Sequence, residues 1–177
     1  MAPLLLSWMV LAMTFSSPPD SRATDPVFPA VEGQNLSGRT FALPNAFEGC
    51  VNLVFVAFKR QQQDDVDTWL PAAARLAGEH ATLRYYELPT LGRGMRLMRP
   101  LIDGGMRSGI PDRGQRDRTI TLYIDKDRFR RSLQLASEET VYALVVDRAG
   151  RVLARADGRH APAKEKVLAD AIQSACR

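Results

Sequence analysis

Few residues in this chain carry side chains with chemistry to offer. The 177 residues hold two cysteines, Cys50 and Cys176, and two histidines, His80 and His160. Neither histidine stands at a spacing from cysteine or carboxylate that suggests a zinc or haem site. Both fall beside helix ends, where a lone imidazole is expected to face solvent. Asp64, Asp65 and Asp67 cluster where a helix should begin, so their expected role is capping and dipole complementation rather than metal binding. Gly92-Arg-Gly94 and Asp103-Gly-Gly105 do not complete a phosphate-binding loop. No cofactor is expected. Two segments are denser in chemistry. One is the polar turn Lys59-Arg-Gln-Gln-Gln-Asp-Asp65, directly after an apolar run. The other spans Arg84 to Arg131, with eleven arginines against six acidic residues and with Met95, Met98 and Met106 among them. Arginine binds carboxylate and phosphate in bidentate fashion, and methionine adapts to irregular apolar surfaces. That span is therefore a candidate surface for an acidic or amphipathic peptide, or for lipid headgroups. The competing reading packs the methionines inward and leaves the arginines solvated or locally paired.

The elements that must position these residues follow from the hydrophobic pattern. Residues 51–58 form a β-branched and aromatic run with almost no polar interruption, which reads as a strand buried on both faces. Val66, Trp69, Leu70, Ala73, Leu76 and Ala77 then fall at helical spacing, predicting a helix over about 64–79 that ends near Gly78. Trp69 is expected in the core. Upstream, residues 31–44 alternate around Gly33 and Gly38 and suit a hairpin. Downstream, a strand over 82–88 should stop at Pro89. A helix broken or bent at Pro100 follows between Gly92 and Gly109. Residues 110–118 read as a charged loop, 119–124 as a strand and 126–135 as a short helix. Residues 141–146 and 151–155 make a hairpin through Asp147-Arg-Ala-Gly150. Pro162 opens a last helix whose buried stripe is Val167, Leu168, Ala171, Ile172 and Ala175.

This order of elements is the thioredoxin-like α/β arrangement, a central mixed sheet flanked by helices, with an N-terminal β-hairpin extension. "VVDRAGRVL" and "LSGRTFALP" resemble the extracytoplasmic thioredoxin and peroxiredoxin-like proteins. "NLVFVAFKRQQQDDVDTWLP", "LIDGGMRSGIPD" and "RTITLYID" are similar to the mitochondrial ATP synthase assembly-factor family, chaperones of the membrane-embedded subunit a, and to its bacterial relatives. The resemblance runs roughly from Leu36 to Ala175. It implies a Cys-x-x-Cys in the turn after the central strand, where a helix N-terminus would generate thiolate. Lys59 to Asp65 occupy that turn, without cysteine. It also implies a cis-proline near Glu139-Thr140-Val141, where there is none. The expected function is thus an exported, non-catalytic binding or assembly factor, serving a membrane or respiratory complex. Lys59, Arg60, Arg107, Arg113, Arg116 and Arg118 are its candidate contacts. The alternative is a divergent thiol-disulfide oxidoreductase or peroxiredoxin-like enzyme using Cys50.

Cys50 opens the central strand at the end away from the turn, and the last helix should return Cys176 to that end. A disulfide between them would close a loop of about 125 residues, contributing up to roughly 4–5 kcal/mol in the chain-entropy model. Two unpaired thiols and a catalytic pair stay open as alternatives. Residues 1–23 read as a signal peptide: an apolar stretch from Leu4 to Phe15 precedes small residues at Ser21 and Ala23. A flexible segment over 24–35 and a thioredoxin-like domain over 36–177 should follow. Export to a periplasmic or other extracytoplasmic space is expected, with an uncleaved N-terminal anchor as the alternative. With 45% hydrophobic and 25% charged residues the composition is that of a globular domain, not a disordered chain. The net charge is +4. Basic residues are not interleaved with aromatics, which argues against nucleic acid as a partner.

Overall fold

The computed structural model describes residues 26–175. The expected signal segment and Cys176 lie outside the described residues. Seven strands form one mixed sheet: β1 (Val31–Asn35), β2 (Thr40–Leu43), β3 (Val51–Ala57), β4 (Leu83–Gly92), β5 (Ile120–Ile124), β6 (Tyr142–Asp147) and β7 (Val152–Asp157), in the order β2-β1-β5-β4-β3-β6-β7. β3 runs parallel to β4 and antiparallel to β6, and β4 runs parallel to β5. The helices are α1 (Gln63–Asp67), α2 (Leu70–Glu79), α3 (Arg99–Gly109), α4 (Arg113–Arg118), α5 (Lys126–Ser132) and α6 (Pro162–Ala175).

β3 is buried at every position because both faces of the sheet are covered. Val54 and Val56 point into a core with Phe28, Phe47, Leu88, Leu122 and Phe129. Val51, Leu53, Phe55 and Ala57 point the other way, against Val66, Trp69 and Ala73 of the following helical segment and Leu168 and Ile172 of α6. The period-two alternation of the strand therefore feeds two cores, and its one polar residue, Asn52, is buried with its amide bonded to Gly49 and the Val146 carbonyl.

Several boundaries differ from the sequence expectation, each for a physical reason. The helix over 64–79 is two helices separated at Thr68 and Trp69. Pro71 cannot donate a hydrogen bond to the preceding turn and sits instead in the first turn of α2. Pro100 opens α3 in the same way, after a 3₁₀ turn over Arg93–Met98. β4 does not stop at Pro89 but continues to Gly92. Pro89 stands at the last register position against β3, and the strand then passes to β5 through Thr90. The charged loop over 110–118 contains α4, capped by Asp112, whose carboxylate accepts from the Gln115 backbone N–H at 2.6 Å. On α6 only Leu168 and Ile172 are buried, while Val167 is exposed. The expected flexible segment over 24–35 is packed from residue 26 onward. Phe28 is buried edge-to-face against Phe47 and Phe129, at 5.4 and 5.5 Å between ring centroids, and β1 pairs with both β2 and β5.

Candidate functional site

The turn that follows β3 is closed by a glutamine. Gln62 is buried, and its Oε1 accepts from the backbone N–H of Phe58 (2.8 Å) and of Lys59 (3.2 Å). Its Nε2 donates to the Glu138 carbonyl at 2.7 Å. One side chain thus ties the end of the central strand to the loop that leads into β6. Two ion pairs span the same mouth, Lys59 with Glu139 and Lys126 with Glu138. Four charges are neutralised pairwise around a turn that holds no sulfur.

Behind this turn lies a carboxylate. Glu87 is 2% exposed, on β4 beside Phe55. It accepts from Gln63 Nε2 at 3.0 Å and Gln115 Nε2 at 3.2 Å. Burial pushes its pKa above the usual carboxylate range, more strongly than the two amide donors pull it down. Because Gln63 opens α1 and Gln115 lies on α4, this one carboxylate brings the turn and α4 together. Gln62, Glu87 and Gln115 are absent from the sequence-based candidates, since glutamine and a strand glutamate carry no catalytic or ligand motif.

The predicted contact residues have different surroundings. Lys59 and Arg60 are exposed at the mouth. Arg107 Nε donates to the Leu36 carbonyl at 2.8 Å. Arg116 donates to the carbonyls of Ile110 and Pro111 at 3.0 and 2.9 Å. Those two hold α3 and α4 in place. Arg113 is exposed on α4. Arg118 stacks on the Tyr85 ring, 4.6 Å from its centroid, with its Nε buried and unpaired. It lines a cleft of about 370 Å³ between the β1–β2 hairpin and the first half of β4, together with Arg39, Arg84, Glu48 and Asp117.

Cys50 is far from the turn. It immediately precedes β3, and a seven-residue strand separates the two ends by roughly 20 Å or more. Its backbone N–H donates to the Thr82 carbonyl at 3.0 Å, and its Sγ lies 3.1 Å from the Thr82 hydroxyl. Whether Cys50 pairs with Cys176 falls outside the described residues. The histidines are half-buried rather than exposed: His160 packs edge-on against Trp69 and meets Glu165 at 2.5 Å. With Arg75, that imidazole holds the Glu165 carboxyl below its ordinary range.

Solved structures of low sequence identity share this architecture. BsSco, described as a member of the Sco family of cytochrome c oxidase assembly proteins, superimposes with a TM-score of 0.61 at 13% identity, covering 86% of this chain and 95% of that one. The thioredoxin domain of a thiol-disulfide oxidoreductase from Bacteroides vulgatus gives 0.54 at 18% identity, over 89% and 100%. An exposed lipoprotein thioredoxin from Streptococcus pneumoniae gives 0.54 at 12% identity, over 82% and 99%. The chain has a thioredoxin-like fold. No family model and no curated protein sequence matches it.

Proposed function

We propose that the protein is a non-catalytic thioredoxin-like binding or assembly factor that works outside the cytoplasm. The observation that carries this reading is Gln62. In the turn where the redox members of the fold would place sulfur, an amide side chain makes three hydrogen bonds that close the turn against the loop before β6. A buried strut held by three hydrogen bonds is a structural element and offers no electrons, nucleophile or exchangeable metal ligand. Among the structural neighbours, BsSco belongs to a family of cytochrome c oxidase assembly proteins, and the pneumococcal thioredoxin is an exposed lipoprotein. Both suit the apolar stretch from Leu4 to Phe15 and the resemblance, roughly from Leu36 to Ala175, to ATP synthase assembly factors. The client on this reading is a protein subunit of a membrane complex.

Insulin-reduction and peroxide-consumption assays test the non-catalytic part, and turnover no greater than that of buffer is expected. Thiol turnover abolished by Cys50→Ser would instead establish the alternative, an enzyme working from the opposite end of β3. N-terminal sequencing of the protein from its native compartment tests export. A chain beginning after Ala23 is expected, and an intact Met1 recovered in the cytoplasm would overturn it.

A further inference from the structure

α3 is built inside out. Its polar stripe faces the protein. Asp103 is buried, accepting from the Tyr123 hydroxyl at 2.8 Å and from Arg99 Nε at 3.1 Å. Arg99 also donates to Gln34 Oε1 at 2.5 Å, and Arg107 to the Leu36 carbonyl at 2.8 Å. These residues recur every four positions, which places them along one face of the helix. The opposite side, made by Leu101 of α3 and by the 3₁₀ turn that leads into it, is apolar and open. Leu97 is 93% exposed and Leu101, one turn on, 71%; Met98 and Met95 follow at 48% and 41%. Gly105 and Ser108 continue that face without bulk.

The exposed charges within this segment have one sign, and the nearest carboxylate outside it that Arg93 acts on is Asp125. Arg93 and Arg96 are exposed in the turn that leads into α3. The only carboxylate between residues 93 and 109 is Asp103, which is buried and bonded. Protruding apolar side chains beside exposed arginines, with no exposed acidic residue in the segment itself, match the interfacial region of an anionic bilayer. The shape favours lipid over a peptide. A helical peptide partner docks into a groove with pockets for its anchors, whereas Leu97 stands almost fully clear of its neighbours.

We propose that the segment Arg93–Gly109 is a membrane-contact face. Leu97, Met98 and Leu101 enter the interfacial layer of an anionic bilayer, and Arg93 and Arg96 meet its headgroups. The contact does not depend on whether the turn after β3 is redox-silent, because it uses none of the same residues.

Methionine oxidation reads this face locally in the full chain. Peroxide should convert Met95 and Met98 to sulfoxide readily in solution, as followed by peptide mass spectrometry. Phosphatidylcholine vesicles containing phosphatidylglycerol should slow both several-fold, whereas pure phosphatidylcholine vesicles should not. High salt should remove the protection. The paired change Leu97→Ser and Leu101→Ser should abolish it while leaving the circular dichroism and melting temperature unchanged. Equal oxidation with and without anionic vesicles would overturn the proposal. So would equal protection by neutral vesicles, or protection that survives the paired change. Protection that grows with protein concentration in the absence of lipid would overturn it too, and would assign the face to a second copy of the chain.

Discussion

Replacing Gln62 by alanine isolates the strut that closes the turn after β3. The substitution removes three hydrogen bonds at once, two from the N–H groups of Phe58 and Lys59 and one to the Glu138 carbonyl. An ordinary intramolecular hydrogen bond contributes about 1 kcal/mol net, and a buried donor left without a partner costs about 1–3 kcal/mol. The Phe58 N–H is buried and would stay unpaired. The Lys59 N–H and the Glu138 carbonyl are only partly buried, so water can replace part of what they lose. The net loss is therefore about 2–4 kcal/mol. For a domain of this size each kcal/mol lowers the melting temperature by about 2–4 °C, so a decrease of roughly 5–15 °C is expected. Gln61→Ala provides the control, because Gln61 is exposed in the same turn and should shift stability by less than about 0.5 kcal/mol. Thermal and guanidinium unfolding followed by circular dichroism would measure both. A Gln62→Ala protein that melts with the Gln61→Ala protein would refute the strut, and with it the structural account of the sulfur-free turn.

Glu87 should give stability a falling limb with pH. Its folded pKa is raised, so on passing from the unfolded value up to the folded one the native state holds a proton that the unfolded state has lost, and stability declines as pH rises through that window. Glu87→Gln should flatten this limb and stabilise the protein above it; an unchanged pH profile in guanidinium titrations would show that Glu87 is not the group responsible. Gly33→Ala tests the close approach of β1 to β5, since a methyl group there would lie 2.6 Å from side-chain atoms of both Ile120 and Leu122. A loss of about 1–3 kcal/mol in the same measurement is expected, and wild-type stability would mean that the hairpin shifts to accommodate the methyl.

The fold was legible wherever burial left a continuous or periodic trace. The run over 51–58 announced the doubly covered strand, and "VVDRAGRVL" the final hairpin. The errors cluster at residues whose roles are set by distant partners. The signal for α4 was present in Asp112 followed three residues later by Gln115, a capping pattern hidden among arginines. The division between α1 and α2 was likewise present in Pro71. The packing of Phe28 had no local signal, because it depends on Phe47 and Phe129. At the turn after β3, the sequence shows that Lys59 to Asp65 hold no cysteine, but not which side chain closes the turn. Gln62 becomes a strut only because β3 ends within reach of the Glu138 carbonyl, and Glu87 is buried only because α1 and α4 converge over it.

α3 shows why the arginine- and methionine-rich span resisted a single reading. Hydrophobic periodicity locates a helix, and the usual inference turns its apolar stripe inward. Here Arg99, Asp103 and Arg107 take the inner face because Gln34, Leu36 and Tyr123 present hydrogen-bonding groups there. A polar inner face so well bonded leaves Leu97 and Leu101 outside. Full burial of a leucine side chain contributes about 1.5–3 kcal/mol, so the isolated protein forgoes roughly 2–5 kcal/mol at these two positions. Serine at both should consequently leave its stability within about 0.5 kcal/mol. The arginines of the span divide along the same line. Those that face inward brace the fold, and those before α3 flank its apolar face. The span is thus neither all surface nor all scaffold, and a change at Arg107 or Arg116 should act on folding, whereas a change at Arg93 or Arg96 should act on what the protein touches.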